Sequence, residues 1–385
     1  MASMTSRDRV LCALNHEEPD RVPIFIGTSG ATTLLAPAYE QLKAHLGIRA
    51  EPRLLSPALQ YARLDEEVLV RLGSDGRPLL PRPTPSSARR ELSEDAFRDE
   101  WGITWRRAPD VLYYEVANPP LRHATLDDIE RYPWPDLAHP ARFAGLAKEA
   151  RALHGRTPYA VVAVSGVSLH EQIYLMRGLD TWLADLAADP EFADALLHRV
   201  KDVMLAGLIP FLDEVGEHAD VLVMGDDLGM QDAPMMSPEM YRRMLKPFHA
   251  ELIAAAKRRT KAKVFFHSDG NIRPLIRDLI EVGVDILNPV QVSARDMWDT
   301  ARLKREFGRR LSFCGAIDTQ WVLPRGTAED VRREVRRRVR DLGRGGGYIL
   351  AAVHCIQPDV PPANVLAMCD EAVAAGCYPL SPGPG

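Results

Sequence analysis

Residues 262–291 read AKVFFHSDGNIRPLIRDLIEVGVDILNPVQ. Ala262 to Phe266 are small or apolar but for Lys263 and predict a buried strand, which runs into a turn, His267-Ser268-Asp269-Gly270-Asn271. Ile272, Leu275, Ile276, Leu279 and Ile280 then recur at helical spacing and mark an amphipathic helix. Asp285-Ile286-Leu287 is a second strand, leading to Asn288 and Gln291. This is one strand–helix–strand unit with its polar residues just past the strand ends. On an extended backbone, side chains at i and i+2 point the same way, so His267 and Asp269 can converge on one ion or one substrate.

The same alternation extends on both sides. Upstream, Tyr159 to Val164 is an apolar strand, Leu169 to Ala188 a helix, and Val221 to Met224 a strand ending in Gly225-Asp226-Asp227. Ser237-Pro238-Glu239 is a helix start, with serine as cap and proline in the first turn. Downstream, Leu311 to Ala316 is a strand leading to Asp318, and Glu329 to Leu342 a helix. Tyr348 to Val353 is a strand ending in His354-Cys355, and Pro361 to Ala375 a last helix. Strands this apolar are buried on both faces, which predicts an α/β chain with a parallel sheet covered by helices.

No Gly-rich dinucleotide fingerprint follows any strand, so a closed (β/α)8 TIM barrel is preferred to a doubly wound sheet. Polar residues also sit at the ends of several strands: Asp226 and Asp227, His267 and Asp269, Asn288 and Gln291, Asp318 and Gln320, His354 and Gln357. Barrel enzymes build their active sites from such positions. The chain is read as one domain over 1–385, with residues 1–150 forming an N-terminal helical and hairpin extension and the first barrel elements, and 151–380 the regular units. In that first part a helix is expected from Arg7 to Leu14 and an extended run from Val22 to Ile26. A Pro-rich surface loop is expected from Leu79 to Ser87, a hairpin from Trp101–Trp105 and Val111–Val116, and a connection from Pro133 to Arg142.

Bulk properties narrow the function. A formal net charge of -5 gives no reason to expect nucleic acid. No apolar run approaches the roughly 20 residues that span a bilayer. The opening residues, Met1 to Arg9, lack the apolar core of a signal peptide, so a cytoplasmic protein is expected. The five cysteines are odd in number and scattered, unlike a disulfide framework.

His267 and Asp269 are read as ligands of a divalent metal, against the alternative that Asp269 merely caps the helix near Ile272. Catalytic zinc takes three protein ligands and keeps one position open. The third is expected from His354 or Cys355. Adjacent strand residues point opposite ways, so one of the two faces the site, and the residues alone leave open which. An oxygen-containing set also suits iron, manganese or cobalt. Of Asp226 and Asp227, one is expected to be structural and the other a base or a group that orients a metal-bound histidine. Asn288, Gln291, Asp318 and Gln357 are expected to contact a small-molecule substrate. Cys314 is read as packing, and the arginine run from Arg332 to Arg344 as a solvated helix face.

These residues also carry a resemblance. Arg7 to Pro23 (RDRVLCALNHEEPDRVP), His267 to Gln291, Gly315 to Thr319 (GAIDT) and His354 to Pro362 (HCIQPDVPP) resemble the uroporphyrinogen decarboxylase superfamily across nearly the whole chain. The resemblance implies a single (β/α)8 barrel with an N-terminal helical extension, and a site role for Glu171. The superfamily has two branches: a metal-free decarboxylase of a many-carboxylate porphyrinogen, and methyltransferases that work with corrinoid proteins and hold zinc by a His-x-Cys element and a later Cys. After Pro23 this chain reads Ile-Phe-Ile-Gly-Thr-Ser-Gly-Ala, without the arginines a polyanion needs. The methyltransferase branch fits better, with His267-Ser268-Asp269 where that branch has His-x-Cys. The expectation is methyl transfer between a small substrate and a corrinoid or thiol, with zinc in the barrel and the corrinoid on a partner protein or free. The alternatives are a cofactor-free decarboxylase and a non-catalytic corrinoid- or small-ligand-binding barrel.

Overall fold

The structure is a computed structural model, which describes residues 4–380 apart from 50–52, 57, 85–88 and 110. Seven parallel strands follow one another in chain order around the sheet: Gly76–Leu79, Ala160–Val164, Val221–Gly225, Lys263–His267, Ile286–Asn288, Ser312–Ile317 and Tyr348–Ala352. The ring is completed by the extended segment 23–26. Ile24 bridges Leu350 in parallel, and Phe25 N–H donates to Leu350 O at 2.9 Å. On its other side, Asp75 N–H donates to Ile24 O at 2.9 Å. The expected eightfold barrel is therefore present, with its first stave too short to be a regular strand.

Period-two alternation sorts the strand residues into two environments. Val264 and Phe266 pack outward in the large core shared with the helices. Phe265 packs inward with Phe25, Val162, Val223, Ile286, Cys314 and Ile349. Val10 and Leu14 of the helix Ser6–Leu14 join this inner cluster and plug the bottom of the barrel. Beside the plug, the buried Asp75 accepts from Arg9 Nη1 at 2.6 Å, Arg21 Nη1 at 2.9 Å and the Ile24 N–H at 2.8 Å. His267 has the parity of Phe265 and so points into the barrel, at its open end.

Several elements differ from the sequence reading. The expected helix Leu169 to Ala188 is two helices, Leu169–Arg177 and Leu179–Ala188, broken at Gly178, whose φ of 90° lies in the left-handed region. The longest helix, Pro190–Val215, was not anticipated. Thr104–Arg106 pairs antiparallel with Glu115–Asn118, but these strands start later than expected and belong to a four-stranded sheet with Arg90–Ser93 and Ala96–Arg98. The Pro-rich run is irregular from 80 to 84, and its end at 85–87 lies outside the described residues. Among the described residues, no helix is long and apolar enough to cross a membrane.

Candidate metal centre at the barrel mouth

His267 is the last residue of its strand and sits beside Asn288, the last residue of the next. Asn288 Nδ2 donates to Cys314 O at 3.1 Å, which turns its Oδ1 towards His267 Nδ1 at 2.7 Å. Nδ1 therefore carries the proton, and the lone pair of Nε2 faces the mouth. His354 Nε2 faces the same space, while its Nδ1 meets Cys355 Sγ at 3.0 Å. Asp269 Oδ2 lies 3.9 Å from His267 Nε2 and 3.6 Å from His354 Nε2. One donor atom from each of the three residues falls within 4.8 Å of the others. The other Asp269 oxygen, Oδ1, is buried without a hydrogen-bond partner among the described residues. Unpaired buried carboxylate oxygens are costly and call for a cation or a donor.

Asp227 stands over this triad. Its Oδ1 accepts the Asp269 N–H at 2.9 Å and lies 3.9 Å from His267 Nε2. Burial raises its pKa, helped by the Asp269 charge and opposed by His267. Glu171 accepts from Ser168 Oγ at 2.7 Å. Burial, followed by the Asp227 charge, pushes its carboxyl up to about 7. The His267 pKa rises although burial opposes it, because Asp269 and Asp227 favour the imidazolium. Burial lowers that of His354.

The other expected site residues are placed elsewhere. Cys355 is 1% exposed and lies behind His354, outside the triad; burial raises its thiol to about 12. Asp226 is fully committed: it accepts from the N–H groups of His170 and Glu171 at 2.7 and 2.8 Å and from His249 Nε2 at 2.8 Å. Burial works against its charge, yet these donors hold it below the usual carboxylate range. It anchors the start of the helix Leu169–Arg177 and has no free oxygen for catalysis. Asn288 is buried and orients His267, with no face left for a substrate. Gln291 accepts the Gly270 N–H at 2.8 Å and steadies the His267–Asn271 turn. Asp318 closes its own turn by accepting from the N–H groups of Gln320 and Trp321 at 2.9 and 3.2 Å. Gln320 is exposed. Gln357 holds the hydroxyl of Tyr113 and bonds Cys355 Sγ at 3.4 Å.

Three tyrosines of the mouth were not read from the sequence. The Tyr61 ring meets His354 edge-on, 6.5 Å between centroids. Burial raises the pKa of Tyr174, with Glu171 and Asp227 adding to it, and pushes Tyr113 up to about 12. Tyr174 stands one helical turn after Glu171, a spacing that could have flagged it. Tyr61 lies in the stretch where the sequence shows no clear period.

A parallel eight-stave barrel whose strand ends converge on two imidazoles and three carboxylates belongs with the barrel enzymes. The chain matches the family model described as uroporphyrinogen decarboxylase (URO-D) over residues 110–374, and it belongs to that family. It is similar to the uroporphyrinogen decarboxylase of Alkalilimnicola ehrlichii, with 24% identity over 96% of this chain and 94% of the relative. It is also similar to that of Coxiella burnetii, with 22% identity over 94% and 93%. Among solved structures it resembles a methyltransferase from Methanosarcina mazei, with a TM-score of 0.65 over 97% of this chain and 99% of that one, at 17% identity.

Proposed function

We propose that the protein is a metal-dependent methyltransferase. The metal, expected to be zinc, is held by His267 Nε2, a carboxylate oxygen of Asp269 and His354 Nε2. One observation carries the reading: three donor atoms gathered within 4.8 Å beside a buried carboxylate oxygen with no partner. Zinc with donors at about 2.0–2.2 Å sets neighbouring donors roughly 3.3–3.6 Å apart. The His354–Asp269 separation of 3.6 Å fits, and the 3.9 Å between His267 and Asp269 needs a small contraction. The two-imidazole, one-carboxylate set also accepts iron, manganese or cobalt.

Bound there, a Lewis-acidic cation makes a thiol or hydroxyl nucleophile available near neutral pH, or assists an oxygen leaving group. The chain's own residues supply the rest. Asn288 fixes the His267 tautomer, and Asp227 holds the Asp269 backbone. Glu171, with its carboxyl near neutrality, exchanges the proton of the nucleophile or leaving group. The methyl partner is expected to be a corrinoid, on a partner protein or free, and the substrate a small molecule in the cytoplasm. The structural likeness to a protein described as a methyltransferase supports this reading.

The names of the sequence relatives favour a second reading, a metal-free decarboxylase in which Asp227, whose pKa burial raises, donates a proton to a carbanion. Elemental analysis of purified protein separates the two. The first expects about one equivalent of a divalent metal per chain, lost in His267→Ala, with methyl transfer that chelation removes and zinc restores. Full methyl-transfer activity in metal-free protein would overturn it. Decarboxylation by the metal-free protein would establish the second.

A further inference from the structure

A cavity of ≈ 730 Å³ opens at the rim of the mouth above the strand Gly76–Leu79. That volume is in the range that encloses a small organic ligand. Its floor is apolar, with Leu54, Pro78, Leu80 and Phe97. Four arginines and three acids also line it, and most of these charges are matched. Arg82 pairs with Glu149, Arg142 with Glu100, and Arg89 with Glu91 outside the lining. Asp99 is occupied by the N–H groups of Trp101 and Ile103 and by the Trp105 indole at 2.7 Å. Arg63, also in the lining, makes no ion pair among the described residues.

Arg63 is the lining residue that shares an element with the surroundings of the metal centre. It lies in the short strand Tyr61–Arg63, where Ala62 is fully buried and the residues on either side are half-buried. Tyr61 and Arg63 therefore share a face. Tyr61 uses that face to meet His354, and Arg63 continues it into the cavity. A ligand seated on the apolar floor would have an unmatched guanidinium within reach and the triad beyond Tyr61.

We infer that this cavity binds the body of the methyl-bearing substrate, and that the body is apolar with a single carboxylate paired to Arg63. Calling the ligand a substrate rests on the methyl-transfer reading; the binding itself does not. A planar guanidinium takes a carboxylate through two parallel hydrogen bonds. A single anion anchored at Arg63 also stays clear of Glu171, Asp227 and Asp269, which would repel a polyanion placed over the metal.

Calorimetric titration of the full-length protein tests the assignment, with 3-methoxybenzoate against 3-methoxybenzyl alcohol, which keeps the body and removes the charge. The acid is expected to bind saturably and at least tenfold tighter than the alcohol. Arg63→Gln should weaken the acid at least tenfold and leave the alcohol unchanged, Arg63→Lys should recover part of the loss, and Leu80→Trp should fill the floor and block both. His267→Ala should lose the metal and still bind the acid, so methyl transfer retained in this variant with binding intact would count against the metal and not the cavity. Equal affinity for acid and alcohol, or an Arg63→Gln variant that is folded by circular dichroism and binds the acid unchanged, would overturn the proposal.

Discussion

At the scale of single residues, the candidate site depends on which atom of each histidine is free. Asn288 and Cys355 occupy the two Nδ1 atoms and leave both Nε2 atoms facing Asp269. His354→Ala is therefore expected to lose the metal, whereas Cys355→Ser keeps it. Asn288→Ala is expected to weaken metal affinity about 10- to 100-fold, as loss of a ligand-orienting partner does. Competition with a chromophoric chelator measures all three. The pairing of His267 with Asp269 was legible from spacing alone. The choice between His354 and Cys355 was not, because alternation says that neighbours diverge without saying which one faces inward.

His170 makes a separate prediction. It is fully buried, and neither ring nitrogen has a side-chain hydrogen-bond partner among the described residues. Burial lowers its pKa to about 4. Below pH ~6.5 the unfolded chain takes up a proton that the folded protein refuses. Stability should thus fall as pH drops from about 6.5 towards 4 and gain nothing from this group above 6.5. The share due to His170 is on the order of 3 kcal/mol, at about 1.4 kcal/mol per unit. Urea unfolding at pH 4.5 and 7 should show a smaller difference in His170→Phe than in the wild type.

At the scale of elements, the strand Val221–Gly225 sets the position of its neighbour. Gly225 pairs with His267, and a Cβ at 225 would fall 2.6 Å from His267 O and 2.8 Å from His267 Cβ. Gly225→Ala is expected to push the His267 strand end away, cost about 1–3 kcal/mol as overpacking does, and lower metal affinity at least tenfold. Thermal melting together with metal titration checks both, and unchanged affinity would show that the strand end can give. The sequence located the regular strands to within a residue or two, since their apolar runs are bounded by turn residues. It missed Pro190–Val215 and the break at Gly178, because apolar residues continue across both and obscure the boundaries. Residues 30–100 resisted reading for another reason: their strands are only three or four residues long and too short to show a period.

At the scale of the whole molecule, the barrel has a chemical mouth and a structural base. The base is held by Asp75, fully buried and shared between Arg9, Arg21 and the Ile24 N–H. Asp75→Asn leaves Arg21 short of a counter-charge and takes one of two carboxylates from Arg9, which keeps Asp20. It should cost roughly 3 kcal/mol, the range for a broken buried pair, and leave metal stoichiometry unchanged. A urea midpoint and elemental analysis on the same sample would separate the two ends. The barrel class was readable because strand–helix alternation persists over the C-terminal half. Closure was expected, but the stave that completes it was not identified, since no pattern in Val22 to Ile26 announces that these residues face both the second strand and the last.

That closure leaves the cylinder with a clasp. Residues 23–26 are fastened to Leu350 by two backbone hydrogen bonds and to Asp75 by one, where the other staves are laced along most of their length. Just past the clasp, Thr33 O and Leu35 N–H grip Ile356, two residues beyond His354. A clasp that slips would carry part of the doorway with it. Amide exchange should accordingly be faster at Phe25 and Leu350 than at Phe265 and Phe266, and should slow at the clasp when a ligand fills the entrance.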